Sequence, residues 1–266
     1  MDPYKILDVL VKQYSNILKE NLSGIYLHGS LAMGCYTEQS DIDFLVVVNH
    51  PLDAAAKRAL VDEILALRES PKKGIEMSVI LKKYAQCFQY PTPFELHYSE
   101  AFREAYAKDR TYVCDKGTDY DLAAHMFIIR HRGQCLTGEA IADMFTDLPE
   151  QYYIDSILRD IQNTREDIID NPVYCILNLC RVLYYLRSRV ISSKLEGGLW
   201  GIKHFPQKYA ELLKTAVLFY QNKAHDSQWN TELMIDFAST MLEEIHSLAG
   251  PRYALQKTVT ISSRSS

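Results

Sequence analysis

The sequence lacks the features that mark several large classes of protein. No apolar run approaches the roughly 20 residues that a membrane-spanning helix needs, and no export or anchoring signal is recognisable. Positive charge is not in excess, because 29 basic and 34 acidic residues give a net charge of −5. Nucleic-acid-binding domains usually carry a basic stripe, so we expect no nucleic acid among the partners and no membrane association.

Paired cysteines are also missing. The six cysteines are scattered through the chain, with no CxxC pair and no zinc-ligand spacing. We therefore expect reduced thiols that mostly pack in the interior, as in a cytoplasmic protein. A length of 266 residues, of which 47% are apolar, suffices for two modest domains with real cores.

The most informative stretch is residues 24–48, GIYLHGSLAMGCYTEQSDIDFLVVV. An apolar run stops at Gly29-Ser30, and Asp41 and Asp43 lead into a second apolar run. Spacing of two on a strand points both carboxylates to one face, where they can bind a hard divalent cation. Glycine lets a phosphate approach the backbone, the serine offers a hydroxyl, and a helix beginning there would direct free N–H groups at the same anion. The pattern predicts a site for a metal-bound nucleoside triphosphate.

Glu76 is the unusual residue of a third predicted strand, residues 75–80. A carboxylate among apolar residues is costly to bury without a partner. Alternation places Glu76, Ser78 and Ile80 on one face and Met77 and Val79 on the other. Glu76 therefore either faces solvent or lies near a metal or a reacting group.

Hydrophobic periodicity predicts an α+β fold. Strands at residues 24–28, 41–48 and 75–80, with helices at 3–19 and 52–70, indicate a small mixed sheet with helices in residues 1–148. Beyond that point the pattern is helical, at 152–169, 172–192, 208–222 and 231–248, which predicts a helical bundle in residues 149–255. The serine-rich segment 256–266 is predicted to be disordered.

A family signature emerges from six of these residues. The chain resembles the nucleotidyltransferase superfamily, whose pattern of GS, a second small residue and [ST]DxD is similar to Gly29, Ser30, Gly34, Ser40, Asp41 and Asp43. The closer resemblance is to the aminoglycoside adenylyltransferases that modify spectinomycin and streptomycin. Their YGSxxxGGLxxxSDIDLLV is similar to HGSLAMGCYTEQSDIDFLV here, with His28 and Cys35 as departures.

The resemblance implies roles for particular residues. It implies that the first domain is a nucleotidyltransferase domain in which Asp41, Asp43 and Glu76 hold Mg²⁺, and that Glu76, in IEMSV, is the general base. It implies nucleotide binding by Gly29, Ser30 and Ser40 in the first domain. In the second domain it implies triphosphate binding by Lys194, six residues before Trp200, and places Tyr220 near the nucleotide.

The acceptor site is less well defined by the resemblance. Phe88 stands where the family has an aromatic residue that can line the drug pocket, and a plain core role for it stays open. Asn171 and Tyr174 stand where the family has an acidic residue and a histidine, which favours spectinomycin over a dual specificity. His125 and His131 show no metal-ligand spacing and are interpreted as surface or core histidines.

The sequence thus predicts a monomeric enzyme that transfers AMP from ATP to a hydroxyl of a small antibiotic, with Mg²⁺. Three alternatives remain. The acceptor could be streptomycin, or it could be a lincosamide, another small alcohol or a protein side chain. The third alternative is a non-catalytic nucleotide-binding module. The presence of Glu76 argues against the last, because the module would not need a base.

Overall fold

A computed structural model describes residues 2–67, 71–115, 117–224 and 228–250. Contacts along the chain divide it into two compact units, Met1–Ser156 and Ile157–Ser266. The predicted boundary after residue 148 stays a prediction, and the predicted tail, 256–266, lies outside the described residues. Within the described ranges, no helix combines the length and the apolar character needed to cross a bilayer.

The first unit mixes helices and strands. In chain order its elements are α1 (Pro3–Leu18), β1 (Leu22–His28), α2 (Gly29–Ala32), β2 (Ile42–Val48), α3 (Ala54–Leu65), β3 (Ile75–Leu81), α4 (Lys82–Gln86), β4 (Thr92–Pro93), β5 (Leu96–Tyr98), α5 (Arg103–Lys108), β6 (Thr118–Asp119), α6 (Asp121–Arg132), β7 (Gln134–Gly138), α7 (Ile141–Met144) and the beginning of α8 (Glu150–Asp160).

Five of the strands form one mixed sheet in the order β5-β3-β2-β1-β7. β2 and β3 are parallel, joined by α3, and the other neighbours are antiparallel. The predicted small mixed sheet is therefore confirmed. The sequence did not predict β7, because this edge strand is short and its side chains are mostly exposed or half-buried, which leaves no apolar alternation to recognise.

Both faces of the sheet are covered. Met77 and Val79 belong to a core that includes α1 and α3, whereas Ile80 belongs to a second core with α6 on the opposite face. The predicted alternation along β3 is thus confirmed. α1 is linked to α3 by the buried Tyr14 hydroxyl, which donates to the Leu60 carbonyl over 3.1 Å.

The helix predicted for residues 52–70 is shorter in the structure. Asp53 ends the preceding loop as the N-cap, since its side chain accepts a hydrogen bond of 2.7 Å from the Ala56 N–H, so α3 begins at Ala54. α3 ends at Leu65, and residues 68–70 lie outside the described part of the chain.

The second unit is helical, as predicted. After the end of α8 it contains α9 (Thr164–Asp167), α10 (Pro172–Ser188), α11 (Lys194–His204), α12 (Ala210–Tyr220) and α13 (Thr231–Ala249). The prediction of one helix over 152–169 was wrong. The chain turns after Asp160, and the Asn163 carbonyl then accepts hydrogen bonds from the N–H groups of Glu166 and Asp167 to begin α9.

α11 was not predicted, and its glycines explain why. Glycine is a poor helix former, so a segment with three of them does not read as a helix. Here they allow close packing on α10: a Cβ at Gly197 would lie 2.7 Å from the Arg181 Cα. A capping box begins the helix, in which the Ser193 side chain and the Glu196 side chain each bond the other's backbone N–H.

Candidate active site

Three carboxylates meet at one end of the sheet. Asp41 directly precedes β2, Asp43 lies within it, and Glu76 lies on the parallel neighbour β3, where it is the register partner of Asp43. One carboxylate oxygen from each residue can be chosen so that all three lie within 4.8 Å of one another. Such a set of oxygens is the kind of ligand that Mg²⁺ takes.

The glycine turn lies against the same carboxylates. Gly29 follows β1 and begins α2 with φ +67°, and a Cβ added there would lie 1.8 Å from the Asp43 Oδ2 atom. Only glycine fits at position 29, because the Asp43 carboxylate occupies the space that a Cβ would take and because the φ of this residue is in the left-handed region. The turn therefore brings backbone directly beside a metal-ligand candidate.

Ser30 and Ser40 occupy different settings around this turn. The Ser30 Oγ atom is buried and has no hydrogen-bond partner in the described structure, which is unusual for a buried hydroxyl. Ser40 instead helps to form the turn before Asp41: its Oγ accepts a hydrogen bond of 3.3 Å from the Thr37 N–H, and its own N–H donates to the Thr37 carbonyl. The predicted nucleotide roles of both residues stay predictions.

A histidine on α6 lies beside Glu76, and its ring packs against a second histidine, an arrangement that the sequence did not predict. His28 is the last residue of β1 and the register partner of Asp43, and its ring lies 4.5 Å, centroid to centroid, from the ring of His125 on α6. The His125 Nε2 atom lies 3.9 Å from the Glu76 Oε1 atom. His125 was interpreted as a surface or core residue because it has no metal-ligand spacing; only the fold brings α6 to β3.

A third histidine completes this group. His97 on β5 is the register partner of Ser78, two residues after Glu76, and its Nδ1 atom lies 2.9 Å from the Ser78 Oγ atom. Burial, followed by the field of His125, lowers the pKa of His28 well below its ordinary value. Burial also lowers the pKa of His97, although Glu76 acts in the opposite direction.

Phe88, predicted either to line an acceptor pocket or to be core, lies in a group of aromatic rings of the first unit. Its ring centroid is 5.3 Å from that of Tyr152 and 6.2 Å from that of Tyr90. The side chain is half-buried and also packs against the core on the α6 side of the sheet. Both interpretations of Phe88 remain open.

Two of the predicted residues of the second unit, Lys194 and Tyr174, are in contact with each other. The Lys194 ammonium lies 4.5 Å from the centroid of the Tyr174 ring, and the Tyr174 hydroxyl donates to Asp160. Arg181 also pairs with Asp160, at 2.7 Å. Burial acts to raise the pKa of the Asp160 carboxyl, but Arg181 and Tyr174 together lower it below the ordinary value.

The other two predicted residues of the second unit lie at the ends of helices. Asn171 is exposed and directly precedes α10, and Tyr220 is a buried residue at the end of α12. The sequence had given Lys194 and Tyr174 separate roles, whereas the structure brings these two into contact. All four roles stay predictions.

The first unit thus combines parallel neighbouring strands with three clustered carboxylates and a glycine-serine turn at the same edge. This arrangement defines a nucleotidyltransferase. Comparison with protein families agrees: residues 11–106 match the nucleotidyltransferase domain. Residues 143–244 match the C-terminal domain of aminoglycoside adenylyltransferase. The chain belongs to the aminoglycoside adenylyltransferase family, a family of enzymes.

Curated relatives are similar over most of their length. The chain is 25% identical over 258 residues to spectinomycin 9-adenylyltransferase of Enterococcus faecalis, covering 92% of this chain and 98% of the relative. It is 25% identical over 217 residues to aminoglycoside (3'') (9) adenylyltransferase of Escherichia coli, covering 79% and 81%.

A solved structure has the same fold. Spectinomycin adenyltransferase from Enterococcus faecalis, crystallised with ATP and spectinomycin, superimposes with a TM-score of 0.78 at 24% identity. The match covers 90% of this chain and 99% of that one. The predicted fold, a nucleotidyltransferase domain followed by a helical domain, is therefore confirmed.

Proposed function

We propose that this protein transfers AMP from ATP to a hydroxyl group of an aminocyclitol or aminoglycoside antibiotic, with spectinomycin as the first candidate, and so gives resistance. The observation that carries the proposal is the carboxylate group of Asp41, Asp43 and Glu76 beside the Gly29-Ser30 turn. The relatives named above support the substrate class.

The donor set fits a magnesium ion and a triphosphate. Asp41, Asp43 and Glu76 offer carboxylate oxygens close enough to share one cation. Ser30 offers a buried hydroxyl that no described protein group uses, and Gly29 brings backbone without a side chain close to Asp43. Bound Mg²⁺ would supply Lewis-acid stabilisation of the charge that develops on the phosphoryl oxygens.

Glu76 is assigned the central chemical role. It accepts the proton of the acceptor hydroxyl, whose oxygen then forms a bond to the α-phosphorus of ATP while the bond from that phosphorus to the bridging oxygen breaks. Pyrophosphate leaves, and the product is an AMP ester of the antibiotic. Ser30 and the backbone at Gly29 hold the triphosphate, with Ser40, Lys194 and Tyr220 as further proposed nucleotide contacts.

The identity of the acceptor is argued from departures from the family pattern. Asn171 and Tyr174 replace an acidic residue and a histidine of the family pattern, which favours spectinomycin over streptomycin. Phe88, in its half-buried aromatic group, is a proposed acceptor contact. A lincosamide or another small alcohol is the alternative acceptor. We expect a monomer in the cytoplasm, where the six free thiols would stay reduced.

The test incubates the protein with ATP, Mg²⁺ and a panel of aminocyclitols, aminoglycosides and lincosamides, and measures pyrophosphate and the adenylylated product. Spectinomycin should be the best acceptor. Glu76→Gln should lower kcat by roughly 10²–10⁴-fold, because general-base catalysis contributes about that much, and should retain ATP binding. Glu104→Gln, at an exposed position on α5, is the matched control and should keep full activity.

Two results would contradict the proposal. Wild-type kcat in Glu76→Gln would remove the base assignment while leaving the substrate class intact. ATP binding without pyrophosphate release for every acceptor in the panel would instead favour a non-catalytic nucleotide-binding module.

A further inference from the structure

The proposed reaction gives no role to His125, although this residue lies beside Glu76. Its Nε2 atom lies 3.9 Å from the Glu76 Oε1 atom, and its side chain is 17% exposed against 33% for that of Glu76. A hydrogen bond would need about 2.9 Å, so a shift of roughly 1 Å would bring these two atoms within hydrogen-bond distance. The more exposed glutamate side chain has the room to make this shift.

The imidazole ring of His125 also packs against the ring of a buried histidine. His28 is only 4% exposed, and its backbone is held by the pairing of β1 with β2, opposite Asp43. The rings of His28 and His125 lie 4.5 Å apart at an angle of 36°. Burial lowers the pKa of His28, which disfavours a positive charge on that ring. A fixed ring therefore lies beside a carboxylate with more freedom.

His97 supports the same part of β3. Its Nδ1 atom is 2.9 Å from the Ser78 Oγ atom, and Ser78 lies on the same face of β3 as Glu76. The backbone around Glu76 is therefore held by strands on both sides, β2 and β5. The strands do not fix the long side chain of Glu76 itself. Within the described contacts, His125 lies close enough to do so.

We infer that His125 is a positioning residue for Glu76: its Nε2–H group holds the carboxylate in the orientation from which it receives the proton of the acceptor hydroxyl. The inference rests on the proposed function, in which Glu76 is the base. Correct placement of a reacting group within about 1 Å can be worth on the order of 10²-fold in rate. Loss of a group that orients a metal-site ligand typically costs about 10–100-fold in activity or metal affinity.

The alternative is that His125 only fills space against His28, and two substitutions separate these roles because their expected effects are opposite. His125→Phe keeps a planar ring beside His28 and removes the N–H donor. His125→Gln keeps an N–H donor and removes the ring. If His125 positions Glu76, the Phe variant should lose about 10–100-fold in kcat with an unchanged KM for ATP, and the Gln variant should keep most of the activity. If His125 is packing alone, the Phe variant stays active and the inference is overturned.

His131→Gln is the matched control. It lies on the same helix, is exposed, and bonds its Nδ1 atom to the Phe127 carbonyl within α6. Its activity should equal that of the wild type. Thermal unfolding of all variants, measured in parallel, separates loss of activity from loss of folding.

A double-mutant cycle with Glu76→Gln makes the test independent of the acceptor. Mn²⁺ affinity, measured by electron paramagnetic resonance without nucleotide, should fall by about tenfold in His125→Phe and should fall no further when His125→Phe is added to Glu76→Gln. Equal effects of His125→Phe in both backgrounds, or none, would overturn the inference. If the wild type is inactive with every acceptor, the proposed function fails and this cycle still decides the role of His125.

Discussion

Replacing Gly29 by alanine tests whether the glycine turn and the carboxylates form one site. The new Cβ would lie 1.8 Å from the Asp43 Oδ2 atom, whereas real Cβ contacts essentially never fall under 3.0 Å. The carboxylate must therefore retreat by at least 1.2 Å, the difference between those two distances. Displacement of a reacting or metal-binding group by about 1 Å can cost on the order of 10²-fold in rate. We expect kcat for pyrophosphate release to fall by at least that factor.

The same substitution also carries a conformational cost, and a second glycine isolates it. Gly29 has φ +67° and Gly34 has φ +70°, but a Cβ at Gly34 would have no heavy atom within 4 Å. A left-handed conformation costs a residue with a Cβ roughly 1–2 kcal/mol, which corresponds to a fall in Tm of about 2–8 °C for a unit of this size. Gly34→Ala should show this loss of stability with near-normal kcat.

The measurements are thermal unfolding and steady-state pyrophosphate release for both variants. Both should be destabilised to a similar extent, and only Gly29→Ala should lose turnover by about two orders of magnitude. Equal kcat in the two variants would refute the reasoning, whether both are active or both inactive, because it would show that backbone strain, not contact with Asp43, decides activity.

Three further predictions concern stability. Asp160→Asn should lower the free energy of unfolding at pH 7 by about 1–2 kcal/mol, because it weakens the pair with Arg181. The folded pKa of Asp160 is depressed, so this contribution is present above the unfolded value of about 4 and is lost as pH falls through the folded value. The difference in stability between wild type and variant should therefore be smaller in denaturation at pH 3 than at pH 7. A difference that stays constant with pH would contradict this. Tyr14→Phe should cost about 1 kcal/mol in urea denaturation, because the buried Leu60 carbonyl loses its donor, and an unchanged midpoint would show that the bond contributes nothing. Mg²⁺ at about 100 times its Kd should stabilise the wild type by about 2.7 kcal/mol and stabilise Asp43→Asn much less; an equal rise in Tm for both would place the ion elsewhere.

The parts of the fold that the sequence predicted are those with strong local patterns. β2 and β3 are short, mostly apolar runs, and α1 has a clear apolar stripe, so these patterns suffice to assign them. β7 and α11 were missed for opposite reasons. β7 has too little buried apolar surface to form a pattern, and α11 has glycines whose purpose is contact with α10, a tertiary relation that local propensity does not contain.

The candidate site divides in the same way. Asp41 and Asp43 could be predicted because their spacing and the preceding glycine turn are local features of the sequence. His125 could not, since it lies 49 positions after Glu76, a separation read from the numbering, and reaches it only because α6 covers that face of the sheet. The departure at His28 was visible in the sequence, but its partner was not. An unusual residue within a family signature is therefore a reason to search for what it contacts.

The register of β2 and β3 has a consequence for how such enzymes can diverge. Asp43 and Glu76 are partners on adjacent parallel strands, so the span separating their main-chain anchors is the spacing of a hydrogen-bonded ladder, about 4.8 Å. That span does not depend on any loop. Loops elsewhere in the first unit can thus vary over evolution while these two carboxylates keep a constant main-chain separation.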